Sequence, residues 1–213
     1  MVRALVLIGI AVAVAAETPV LSLTGTADGA GTVKIDVLRW STDEERDRLV
    51  TSWTQPAPAA SKPSEGRGGG RGGRGGARGG NAGAEAAAPQ TPEGALAAAL
   101  AAAPTLGYVW SSSEFSGYAV RYAARFAEQD GSERIVLITD RRLGAWNDVW
   151  KPAGPEASPK YDFSLIELRL KPKGAGEGKT SLTGTVAVDA GAKIFGLANY
   201  AGSPVTLKNV MRR

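Results

Sequence analysis

Apolar and polar side chains alternate along most of this chain, and the alternation predicts a fold made mainly of strands. Residues 20–28, Val-Leu-Ser-Leu-Thr-Gly-Thr-Ala-Asp, read as a strand that ends in a turn at Asp28-Gly29. Over residues 32–40, Val33, Ile35 and Val37 face one way and Lys34, Asp36, Leu38 and Trp40 the other, as in a half-buried antiparallel strand. The same reasoning places strands at residues 105–110, 117–127, 133–139, 161–171, 179–189, 193–200 and 205–211. Turn-forming groups separate them, among them Gln129-Asp130-Gly131-Ser132, Pro172-Lys173-Gly174-Ala175-Gly176 and Gly202-Ser203-Pro204. Short connections imply antiparallel neighbours. The expected fold class is therefore mainly β (α+β), an antiparallel β-sandwich or barrel of about nine strands.

Two helices interrupt this pattern. Ser41-Thr42-Asp43-Glu44-Glu45 announces the first, with Ser41 and Glu44 or Thr42 and Glu45 as a capping box, and Leu49, Val50 and Trp53 as its apolar stripe. Thr91 caps the second, Pro92 occupies its first position, and an alanine-rich run carries it to Ala103 before Pro104. Between the helices, residues 56–90 change to proline, alanine and a glycine/arginine repeat. No side chain there can anchor a core, so a disordered insertion of about 30 Å mean span is expected. The hairpin and helix before it are too small to fold alone. Residues 17–55 and 91–213 are accordingly read as two parts of one β-rich domain, with the insertion as a loop.

Residues 1–16 differ again. Arg3 precedes an apolar run over residues 4–16, about 13 residues long, where a hydrocarbon core requires about 20. Small residues at Ala13, Ala15 and Ala16 suit a signal peptidase, and polar sequence begins at Glu17. The expectation is a signal peptide, a secreted or periplasmic protein and no transmembrane segment in the mature chain; the competing reading is a first buried strand.

Charge changes the picture only once it is placed. The chain has 25 basic and 21 acidic residues. The excess lies in Arg3 and in the insertion, where Lys62, Arg67, Arg71, Arg74 and Arg78 face only Glu65 and Glu85, and the remaining residues are balanced. A balanced domain argues against a broad nucleic-acid-binding face. Arg67, Arg71, Arg74 and Arg78 form a candidate polyanion-binding element resembling arginine/glycine boxes, against the simpler reading of a solvated linker.

Chemistry is limited by what is missing. Without histidine or cysteine, serine–histidine–aspartate and cysteine–histidine nucleophiles are excluded, as are zinc sites built on those ligands, disulfides and a lipid-modified cysteine. Carboxylate, tyrosine or serine–lysine chemistry survives. A carboxylate pair for glycoside hydrolysis is conceivable among Asp140, Asp148, Asp162 and Glu167, although no spacing selects it. Glu167 and Arg169, like Arg121 and Arg125, read as ion pairs on wet sheet faces, the latter two opposite Val120, Tyr122 and Phe126. Gly174-Ala175-Gly176-Glu177-Gly178-Lys179-Thr180 superficially matches a phosphate loop, but Lys173 stands where its first glycine belongs, and a hairpin turn is expected. Residues 139–150 combine charges, an amide and two aromatics in one loop. Asp140, Arg141, Arg142, Trp146, Asn147 and Trp150 are the candidate site for a small polar ligand or glycan. The bland alternative pairs Asp140 with an arginine and uses the tryptophans to plug the core. No cofactor signature and no metal set is present, and the partner is left open as an envelope component or small polar ligand.

The segments Arg39-Trp40-Ser41-Thr42-Asp43-Glu44-Glu45-Arg46-Asp47-Arg48-Leu49, Arg134-Ile135-Val136-Leu137-Ile138-Thr139-Asp140-Arg141, Ile166-Glu167-Leu168-Arg169-Leu170 and Gly176-Glu177-Gly178-Lys179 resemble a group of uncharacterised exported bacterial proteins. The resemblance covers most of the chain outside the insertion, implies secretion and a shared domain, and transfers no site. The glycine/arginine insert departs from that pattern, as a tolerated loop does. Three functions follow as expectations: a binding or structural module of the cell envelope, a carboxylate-dependent hydrolase, and a polyanion binder acting through the insertion.

Replacing residues 56–90 by a short Gly-Ser linker is expected to leave the thermal midpoint within a few degrees, since loop length costs only about 0.6 kcal/mol per doubling. Calorimetry checks this, and loss of the folding transition would place the segment in the core.

Overall fold

The computed structural model describes residues 18–56, 91–146, 149–150 and 160–213. The expected signal peptide and the glycine/arginine run lie outside the described residues. Ten strands and two helices follow in the order β1 (Leu21–Ala27), β2 (Gly31–Val37), α1 (Asp43–Thr54), α2 (Pro92–Ala102), β3 (Gly107–Ser111), β4 (Tyr118–Ala127), β5 (Glu133–Thr139), β6 (Leu165–Leu170), β7 (Gly176–Thr180), β8 (Val186–Asp189), β9 (Ile194–Leu197) and β10 (Leu207–Arg212). Eight of the strands form a closed antiparallel barrel in which β1 to β7 pair in sequence, β7 pairs with β10, and β10 returns to β1. Of the two expected architectures the chain adopts the barrel. Strands β8 and β9 form a separate hairpin. No helix among the described residues is long and apolar enough to cross a membrane.

The barrel interior is filled. Leu23, Val33, Ile35, Val37, Val109, Val120, Ile135, Leu137, Ile166 and Leu168 point inward and are almost fully buried, as an eight-stranded barrel permits. Its closing side is lined by glycine. A Cβ on Gly178 would lie 2.5 Å from Leu168 Cδ2 and 3.0 Å from Leu207 Cβ, and one on Gly25 would lie 3.2 Å from Val210 Cγ2. In the phosphate-loop-like run, Gly176 and Gly178 leave the room that neighbouring leucines fill, while Gly174 turns the chain at φ 88. Register shifts in β1–β10 and β10–β7, with Asn209 at φ 53, bend β10 across the closure.

A second layer wraps β4, β5 and β6 from outside. Thr42 caps α1 through the second of the two expected boxes, accepting the Glu45 N–H while Glu45 accepts the Thr42 N–H. Arg39 adds two bonds of 2.7 and 2.8 Å to the Glu45 carboxylate and holds it below the usual carboxylate range. Thr91 caps α2 with Pro92 in its first turn. Leu49, Val50, Leu96 and Leu100 then pack with Val136, Ile138, Leu165, Phe195 and Leu197.

Three sequence expectations are corrected here. Tyr122 does not share a face with Val120. A bulge between them turns Tyr122 outward against Phe195, with ring centroids 5.3 Å apart, while Ala123 enters the barrel. The single strand over residues 179–189 is two strands, because the Thr183 and Gly184 N–H groups turn back to Thr180 O and start the hairpin excursion. The strand expected over residues 161–171 begins only at Leu165, with Tyr161 and Phe163 in the outer layer.

A fourth correction concerns Glu167. Its face of the sheet is dry, because the β8–β9 hairpin covers it and leaves Glu167 1% exposed. Arg134 Nε lies 2.8 Å from Oε1 and Nη2 lies 3.3 Å from Oε2, while the Leu197 N–H donates to Oε2 at 3.0 Å. Gly196 has no room for a side chain, since a Cβ would collide with that guanidinium. Beside it, Lys179 donates to Tyr200 O at 2.7 Å, and Arg169 and Lys179 sit 4.0 and 4.5 Å from the Tyr200 ring centroid. Burial, reinforced by Glu177, raises the Tyr200 phenol above its usual range.

Arg134→Ala would leave Glu167 buried without its main counter-charge, and is expected to lower unfolding free energy by about 3 kcal/mol. Arg134→Met with Glu167→Leu should recover most of it. Urea denaturation of both variants checks this, and equal losses would show that the charge pair does not hold the hairpin.

Candidate functional site

Of the residues singled out in the loop after β5, Asp140, Arg141 and Trp150 lie at one end of the barrel and help to plug it. Trp150 is buried in the barrel core. Its Nε1–H donates to Glu114 Oε2 at 2.6 Å, and its ring meets Tyr118 edge-on at 6.4 Å. The Tyr118 hydroxyl donates to Glu114 Oε1 at 2.5 Å and accepts the Gly144 N–H at 2.9 Å. Burial first, then the hydrogen bond to Glu114, pushes the phenol up to about 12. Arg141 lies 4.6 Å from the Tyr118 ring centroid, donates to Gly117 O at 2.5 Å and pairs with Asp140 Oδ2 at 3.5 Å. Asp140 Oδ1 accepts the Ala119 N–H at 3.2 Å. Arg142 is half-buried and also engaged, and Trp146 projects into solvent, 77% exposed. Asn147 lies outside the described residues, as do Arg67, Arg71, Arg74 and Arg78. The structure thus gathers Asp140, Arg141 and Trp150 into one hydrogen-bonded plug and leaves Trp146 on its outside.

Among the described residues, Glu167 of the conceivable carboxylate pair is already committed. Both Glu167 oxygens are held by Arg134 and Leu197. Asp140 stands four residues further along the sheet by register, roughly 13 Å away, beyond the spacing of about 5–9.5 Å used in glycoside hydrolysis. Asp162 is exposed and Asp148 lies outside the described residues. Among the described residues no three acidic groups converge as metal ligands.

A different surface carries open recognition chemistry. The outward residues of β1 and β2, Ser22, Thr24, Thr26, Thr32, Lys34 and Asp36, are polar and reach solvent. Strand β3 places two aromatics beside them. Tyr108 and Trp110, on either side of inward-facing Val109, stack with centroids 5.2 Å apart and planes 29° apart. Register sets Tyr108 opposite Asp36 and Trp110 opposite Lys34. Gly117 lets the Trp110 indole lie flat, since a Cβ there would be 2.5 Å from Nε1. A shallow depression of about 220 Å³ opens here, lined by Thr32, Lys34, Trp110, Ser111 and Ser112. Its floor is fixed: Ser111 Oγ donates to Ala30 O at 2.5 Å, and Ser112 Oγ accepts the Thr32 N–H at 3.0 Å.

Sequence reasoning missed this surface, because residues 105–110 read only as one strand among several, with no face assigned. The signal was present in the spacing of Tyr108 and Trp110, two residues apart on the face opposite Val109. Compared with protein-family models, curated proteins and solved structures, the chain finds no match. What its residues do is therefore argued from an eight-stranded, solid-cored β-barrel with an aromatic platform on its uncovered side.

Because the Tyr118 phenol ionises near 12 in the fold and near 10 when unfolded, the folded state favours the protonated form. Its contribution is complete below about pH 10 and is lost as pH rises towards 12. Tyr118→Phe should flatten stability between those values, while costing about 1 kcal/mol at neutral pH through the lost hydrogen bonds. Denaturation midpoints against pH check this, and an unchanged alkaline slope would remove Tyr118 as its source.

Proposed function

We propose that the protein is an exported, non-enzymatic binding module of the cell envelope, and that it recognises a glycan on the outer face of β2 and β3. The observation that carries this reading is the stacked pair Tyr108–Trp110. The outer layer covers β4 to β6, yet here Tyr108 is exposed and Trp110 half-buried beside a row of polar residues. Flat aromatic faces flanked by hydroxyl and charged groups suit a sugar ring, whose apolar face can lie on the aromatics while its hydroxyls reach the flanking groups. The filled interior leaves the outside of the barrel for recognition. Export is supported by the arginine-led apolar run over residues 1–16 and the small residues that end it. The hydrolase reading has less support, since Glu167 is held by Arg134 and Leu197 and stands far from Asp140.

Trp110→Ala is expected to weaken polysaccharide binding by about 2 kcal/mol, while Trp146→Ala leaves it unchanged. Tryptophan fluorescence titrations against a panel of envelope polysaccharides check this, with circular dichroism confirming the fold. Full binding by the Trp110 variant would overturn the assignment. Export is checked by fractionating cells that express the tagged chain, where an unprocessed cytoplasmic product would refute it.

A further inference from the structure

We infer that the sugar seated on Tyr108 and Trp110 is a uronate, part of an acidic polysaccharide, and that Lys34 receives its carboxylate. This rests on the reading of the β2–β3 face as a glycan platform and adds the class of ligand. Lys34 lies directly opposite Trp110 in the β2–β3 register, points outward and lines the same depression. Among the described residues no acid forms an ion pair with it. The neighbouring charges are already compensated: Asp36 accepts from Ser22 at 2.6 Å and pairs with Arg213 at 2.9 Å, and Lys208 pairs with Asp28 at 2.8 Å. One uncompensated cation therefore stands at the edge of the aromatic platform, and the complementary ligand is an anion with a flat apolar face.

The hydroxyls refine that choice. Ser112 Oγ uses a lone pair to accept the Thr32 N–H, which leaves its own hydrogen free to donate to a sugar oxygen. The depression opens to solvent beside Trp110, where a sugar unit of a polymer can reach it. An equatorial carboxylate lies near the plane of a pyranose ring. With the ring on Trp110, it would extend sideways towards the adjacent strand, where Lys34 stands.

The test uses the full chain with polygalacturonate, its methyl ester and a neutral polysaccharide, read by tryptophan fluorescence at low and moderate salt. The unaltered protein should bind polygalacturonate at least about threefold more tightly than the ester, the scale of one exposed charge pair, with salt reducing the difference. Lys34→Met should abolish that preference by weakening polygalacturonate binding to the level of the ester. Trp110→Ala should weaken both by about tenfold or more. If Lys34→Met keeps the preference while Trp110→Ala weakens both ligands, the charge assignment is wrong and the platform stands. If the preference disappears only when Arg67, Arg71, Arg74 and Arg78 are replaced by serine, the insertion holds the anion and the inference is overturned. Binding of the neutral polymer alone also overturns it. Binding of none of the three, or binding indifferent to Trp110→Ala, removes the platform itself.

Discussion

Pairing of β1 with β10 closes the meander, and much of the rest follows from that closure. Eight strands joined edge to edge leave no open ladder in the barrel, and they enclose a space about wide enough for side chains. Leucine, isoleucine and valine from alternate positions occupy that space. Gly25, Gly176 and Gly178 make room on the closing side for residues from β6 and β10. The plug of Trp150, Tyr118 and Glu114 then seals one end.

That outer surface divides into two halves with different electrostatics. Over β4 to β6 the helices and the β8–β9 hairpin exclude water, so any charge caught beneath them must be fully satisfied. Glu167 meets that requirement with a guanidinium and a backbone N–H, and Lys179, opposite it on β7, with two carbonyl oxygens. Over β1 to β3 the side chains meet water, where an exposed lysine or aspartate carries little cost. Aromatic rings left on that side stand out, because the fold does not need them for its core.

How much could be read in advance depends on the range of the interaction. The alternation from Val33 to Val37 and the caps at Thr42 and Thr91 depend on neighbours a few residues away, and each appears in the structure as the pattern implied. Beyond Val37 the strand stops, and Trp40, expected beside Lys34, packs against the barrel core instead. Tyr122 was misplaced because a bulge shifts the period by one residue, and no local composition marks it. Glu167 was misplaced because alternation separates two faces without saying what lies on either. The candidate loop after β5 attracted notice through its mixture of charge and aromatics, which largely reflects the plug. The Tyr108–Trp110 platform was hidden in a strand, where aromatics usually mean core.

By itself, the amino-acid sequence determined the mainly β class, the antiparallel neighbours, the two capped helices and the absence of histidine and cysteine chemistry, since these follow from composition and from short-range sterics and hydrogen bonding. Only the tertiary structure decided that the sheet closes on itself, which outward face is covered, and therefore that Glu167 is dry while Tyr108 is exposed. Those outcomes depend on residues far apart in the chain, because solvent exposure belongs to the assembled surface and cannot be assigned to a residue from its neighbours alone.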